Sequence, residues 1–98
     1  MITRIYRVRI HGNLRSEFEP LFKTVAVQSV SGYAGCTRVT IGWPTEETPN
    51  EYAMISEWED EAGLREFAGE DWTVAHIPEE MEKFVKRCWV HHYVGIPA

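Results

Sequence analysis

Residues 2–10 alternate in the period of two that a strand requires, with Tyr6, Val8 and Ile10 on one face and Thr3, Ile5, Arg7 and Arg9 on the other. His11-Gly12-Asn13 breaks the alternation. Ser16 followed by Glu19 has the form of a capping box, in which each side chain satisfies an unpaired backbone donor at a helix start. Phe18, Leu21, Phe22, Val25 and Ala26 then recur at helical spacing, which predicts an amphipathic helix ending near Ser31-Gly32. Pro20 fits only near the first turn of that helix and otherwise kinks it. A second strand is predicted over 36–43, with Thr37, Val39, Ile41 and Trp43 opposed to Cys36, Arg38 and Thr40. The loop 44–50 carries two prolines and leads to a third strand over 52–58, with Tyr52, Met54 and Trp58 on one face and Ala53 and Ile55 on the other. These two strands should form a hairpin.

Asp60 can cap a second helix that buries Leu64, Phe67 and Ala68 and ends at Gly69. Residues 71–77 read as a short helical turn. Pro78 suits the first position of a further helical segment, with Glu79 and Glu80 early and Lys83, Lys86 and Arg87 late, as the helix dipole favours. A fourth strand closes the chain over 89–94. The order β-α-β-β-α-β, with a broken second helix, is the ferredoxin-like α+β pattern in a single domain, 1–98. Two helices cover one face of such a sheet, yet large apolar groups occupy both faces of these strands. Leaving four or five of them in water costs about 1.5–3 kcal/mol each, so sheet-to-sheet pairing into a homodimer is expected.

Composition narrows the functional classes. The chain is 44% apolar and carries a net charge of −5, the wrong sign for neutralising phosphates, so nucleic acid is not an expected partner. Between Glu46 and Asp71 ten acids face the single base Arg65, a run that reads as a solvated surface. Cys36 and Cys88 form no CxxC pair and read as small buried hydrophobes. No leader pattern is apparent, so reduced thiols and a cytoplasmic location are expected, with no membrane partner because no apolar stretch approaches the span of a bilayer. There is no GxGxxG, GK[ST], GxSxG or HExxH, so the signatures of nicotinamide binding, P-loop chemistry, serine hydrolysis and zinc proteolysis are missing.

Several stretches carry a family resemblance. Ser31-Gly32-Tyr33-Ala34-Gly35, the strand ending Ile55-Ser56-Glu57-Trp58-Glu59 and the following Glu61-Ala62-Gly63-Leu64-Arg65-Glu66-Phe67 resemble the antibiotic biosynthesis monooxygenase (ABM) domain over nearly the whole chain. Phe67-Ala68-Gly69-Glu70-Asp71-Trp72, then Ala75, Pro78 and His92-Tyr93, resemble an uncharacterised bacterial branch of it. The resemblance implies a dimeric α+β barrel with a pocket between helices and sheet. Some members use that pocket to oxygenate aromatic polyketides without metal or flavin, and others to degrade haem. The haem-degrading motif is an asparagine on the first strand, a tryptophan on the second helix and a histidine beyond it. Residues 1–10 hold no asparagine, Phe67 stands where the tryptophan would be, and His76 alone matches, a departure that argues against haem degradation.

Oxygenation without a cofactor needs a general base for an electron-rich phenol, polar donors for the resulting anion and a dry aromatic cavity. Histidine is the natural base, with a reference pKa of about 6.5. Of the four, His11 lies at a solvated boundary. His76 follows Trp72 by four residues, so a helical segment there would bring both to the pocket mouth. His91 and His92 point to opposite faces of a strand, and His92 shares parity with Val90 and Val94. The candidate catalytic residues are therefore His76 and His92. Candidate substrate contacts are Tyr6 (a phenol donor or stacking wall, or else core), Arg4 (a clamp for an anionic oxygen, or else an exposed salt bridge), Phe67 and Trp72. The expected function is a cofactor-independent monooxygenase acting on a small aromatic or quinol-like molecule with dioxygen, with no cofactor and no metal. The alternative is a non-catalytic dimeric module binding a small hydrophobic ligand or haem.

Overall fold

The computed structural model describes all residues 1–98. Strand β1 (Ile2–Ile10) leads through a 3₁₀ turn (Gly12–Leu14) into a continuous helical run made of α1 (Arg15–Leu21), a π turn (Phe22–Ala26) and α2 (Val27–Ser31). The hairpin β2 (Cys36–Gly42) and β3 (Glu51–Trp58) follows, then α3 (Glu61–Ala68), a 3₁₀ segment (Glu79–Phe84) and β4 (Val85–Val94). The sheet is antiparallel in the order β2-β3-β1-β4, which is the ferredoxin-like α+β arrangement expected from the element order.

The burial of β3 alternates perfectly, with Tyr52, Met54, Ser56 and Trp58 buried and their neighbours half-exposed, so one face of the sheet takes the core and the other takes no helix. Val8, Ile10, Phe18, Phe22, Tyr52 and Phe84 build the centre of that core. Phe18 anchors it, with ring centroids 5.1 Å from Phe22, 4.9 Å from Tyr52 and 5.5 Å from Phe84.

The first helix starts differently from expectation. No side chain caps it; Leu14 holds the cap position after the 3₁₀ turn, and Ser16 lies inside the helix. Glu19 is drawn away by stronger partners, accepting from Arg15 Nε at 2.8 Å and from the Tyr52 hydroxyl at 2.6 Å. Pro20 consequently lies in the helix interior, where it supplies no N–H and crowds the preceding turn, and the π turn follows immediately. The Asp60 cap is present, its carboxylate accepting from Gly63 N at 2.8 Å, and Gly69 ends α3 at φ 81°.

Three further expectations are corrected. Residues 71–77 form a turn followed by irregular chain, with no helix. The segment after Pro78 is six residues of 3₁₀ helix, and β4 begins at Val85, so Lys86 and Arg87 belong to the strand. Pairing of β4 along nearly all of β1, from Ile2↔Val94 to Ile10↔Val85, outweighs the local helical preference. In β2 the register shifts between Cys36 and Arg38, so Thr37 bulges outward and Cys36 joins Val39 and Ile41 against the core.

Candidate functional site

A cavity of about 150 Å³ lies between the core face of the sheet and the helical run. Residues i and i+2 of a strand share a face, so β1 presents both Arg4 and Tyr6 to it. The helical run adds Phe18, Phe22, Val25, Ala26 and Ser29, three of these around the π turn. Met54 from β3 and Phe67 from α3 add to its apolar wall with Val8, Met81 and Val85, and His76, Pro78 and Glu80 form a rim from the segment between α3 and β4. An apolar hollow of this volume holds about one benzene-sized ring.

Arg4 is only 6% exposed. Its Nη1 donates to the Trp72 carbonyl at 2.8 Å and to His92 Nε2 at 3.0 Å. Arg4 and His92 stand directly opposite each other in the β1–β4 register, which explains the second contact. A guanidinium cannot accept, so Nε2 of His92 must be the bare nitrogen and the proton of the neutral ring sits on Nδ1. Burial, then the Arg4 charge and His91, hold the His92 pKa down at about 4. The Trp72 ring packs edge-on against His92 at 4.7 Å between centroids, and the Arg4 guanidinium carbon lies 5.7 Å from the centre of Phe67. Burial lowers the pKa of Arg4 itself, an effect partly offset by Tyr6.

Burial raises the phenol of Tyr6 above its ordinary value; Cys88 beside it pushes the same way and Arg4 opposes. Tyr6 therefore keeps its proton at neutral pH and can donate it. The partner of that hydroxyl in the protein is the Cys88 thiol.

A sequence model of the antibiotic biosynthesis monooxygenase (ABM) family matches residues 1–87. The chain belongs to this family. No curated protein matches it. Among solved structures, one described as an antibiotic biosynthesis monooxygenase aligns at 18% identity over 99% of this chain and 100% of the other, with a TM-score of 0.74. A mutant of MhuD with two manganese protoporphyrin IX bound per active site aligns at 14% identity over 100% and 97%, TM-score 0.76. A mutant of SnoaB, a cofactor-independent oxygenase from Streptomyces nogalater, aligns at 18% identity over 99% and 94%, TM-score 0.71. At these identities the likeness concerns the ABM fold.

Of the six candidate residues, the fold brings Arg4, Tyr6, Phe67 and His76 to one cavity. Trp72 and His92 do not line it; they stand behind Arg4 and hold its Nη1. His76 reaches the rim from a segment without regular secondary structure, so its link with Trp72 through a shared helical face does not exist. The sequence reading passed over Ser29 and Met54, although the helical period and the strand parity pointed both toward the core. It also assigned Glu80 to a helix dipole, whereas the 3₁₀ segment sets it at the rim.

Proposed function

We propose that this ABM protein is a cofactor-independent monooxygenase acting on a one-ring aromatic or quinol-type molecule with dioxygen, and that it works as a homodimer paired through the open sheet faces. His76 at the rim takes the phenolic proton, Tyr6 and Arg4 hold the oxygen that becomes anionic, and Phe67 with Phe22 walls the ring. The substrate anion supplies the electrons to dioxygen, so that one oxygen atom stays on the product and the other leaves as water. His92 acts here as a positioning residue: its ring nitrogen is committed to Arg4. The observation that carries the reading is a ring-sized apolar cavity with a buried guanidinium and a protonated phenol on one wall and a histidine at its mouth. Volume speaks for one ring over haem, since a porphyrin is several times larger than about 150 Å³ and Phe67 replaces the tryptophan of the haem-degrading pattern.

Oxygen uptake with a panel of single-ring hydroquinones and catechols tests this. Turnover is expected, with His76→Ala slower by about 10²–10⁴-fold while its circular dichroism is unchanged. Uptake no faster than the buffer background across the panel, or a His76→Ala variant as fast as the parent, overturns it. Ligand binding without uptake would favour the non-catalytic module instead.

A further inference from the structure

The charge inside the cavity is unbalanced. Arg4 is buried, yet every ion pair in the chain belongs to another cation: Arg9, Arg15, Arg38, Arg65 or Lys83. The acid that borders the cavity, Glu80, is exposed at the rim and makes no ion pair with Arg4. Both partners of Nη1, a backbone carbonyl and an imidazole nitrogen, are uncharged acceptors. Withdrawing a cation from water without an anion is strongly unfavourable.

The donor inventory shows where an anion would go. Nη1 spends its protons on Trp72 and His92, whereas Nε and Nη2 have no acceptor in the protein. No polar side-chain atom that is fully sealed lacks a partner, so these two nitrogens are not sealed, and Arg4 borders the cavity. Nε–H and Nη2–H point the same way along one edge of the planar fork, at the spacing of the two oxygens of a carboxylate. Trp72, His92 and the Phe67 ring fix the other edge and one face of the guanidinium, which pre-organises the free edge. Tyr6, two residues along the same face, adds a phenol O–H whose partner in the protein is the weakly accepting Cys88 sulfur.

We propose that the ligand of this cavity is a monocyclic aromatic carboxylate, bound with both carboxylate oxygens on Nε and Nη2 of Arg4 and with its ring in the apolar space lined by Phe22 and Met54. This names the substrate class of the site and rests on the cavity being the site, but not on its chemistry being oxygenation. A neutral phenol or quinol fills the same volume but brings the guanidinium no charge until its own proton is removed.

Benzoate and benzamide share shape and differ in charge, so they are the probes. Isothermal titration of the wild-type protein should show benzoate binding at least about tenfold more tightly than benzamide. Arg4→Gln should erase that preference, and Arg4→Lys, which keeps the charge but loses the fork, should retain only part of it. Equal affinities, or no binding of either at millimolar concentration, overturn the proposal. If the Arg4 variants fail to fold by circular dichroism, the wild-type ratio still decides. Oxygen uptake with neutral hydroquinones and no benzoate preference would sink this inference and leave the oxygenase reading. A benzoate preference with no uptake from any dihydroxybenzoate would do the reverse.

Discussion

At the scale of single residues, the Arg4–His92 pair sets much of the site's behaviour. His92 is held at about 4 against an ordinary 6.5, so the folded protein resists a proton that the unfolded chain accepts. Stability from this group is full above about pH 6.5 and is lost as the pH falls toward 4. His92 is half-open to solvent, which screens the effect to about 1 kcal/mol. Urea unfolding at pH 7 and pH 4.5 should therefore show the wild type losing about that much more than His92→Gln, whose carbonyl still accepts from Arg4. Parallel losses would mean that His92 is not held neutral. The sequence singled out Arg4 and His92 separately, one as a clamp and the other as a base. Their union depends on the register Arg4↔His92, which no local pattern encodes. Thr37 shows the same limit at smaller cost: alternation put it on the face of Val39 and Ile41, and a one-residue bulge turned it away from them.

Among the elements, the approach of α3 to the turn between α2 and β2 is close enough to exclude side chains. A Cβ on Gly35 would stand 3.0 Å from the Gly63 Cα, and one on Gly63 would stand 3.2 Å from the Gly35 Cα. Both contacts are with backbone, which cannot swing aside. Gly35→Ala is expected to destabilise by about 1–3 kcal/mol, read as a drop in the thermal midpoint. Gly69→Ala has open space around it but is strained by φ 81° and ψ −171°, a conformation nearly confined to glycine, and should cost about 1–3 kcal/mol. Equal stability of the Gly35→Ala protein and the parent would show that the two elements can part. Asp60, Gly69 and the apolar stripe of α3 were legible because capping and amphipathicity are local. The helix start was not, since the Tyr52 hydroxyl that captures Glu19 lies 33 residues away in the chain. The early start of β4 was hidden for a similar reason: Glu79 to Arg87 has a good helical charge pattern, and only the partner strand β1 overrides it.

For the whole molecule, the helix-free sheet face carries Ile5 opposite Ile55, with Trp89 between the Arg9 and Arg87 guanidinium groups at 5.9 and 4.9 Å from its ring. The proposed homodimer buries this face. Sedimentation at micromolar protein should give a two-chain particle, and Ile55→Glu, which places an unpaired charge opposite Ile5 and Thr40, should weaken pairing by about 3 kcal/mol or more. A wild-type single-chain particle at every loading contradicts the pairing. The element order, the inward face of β1 and of β3, the shared face of Arg4 and Tyr6 and the α3 cap were open to reading along the chain. Each rests on periodicity or on contacts a few residues apart, where the covalent geometry of the backbone is enough. The cavity itself, the free edge of Arg4 and the retreat of Trp72 and His92 behind it arise only when β4 docks on β1 and the π turn aims its side chains at the sheet. Register, bulges and the spacing between layers are settled by packing over long sequence distances, and that packing turns separate residues into one site.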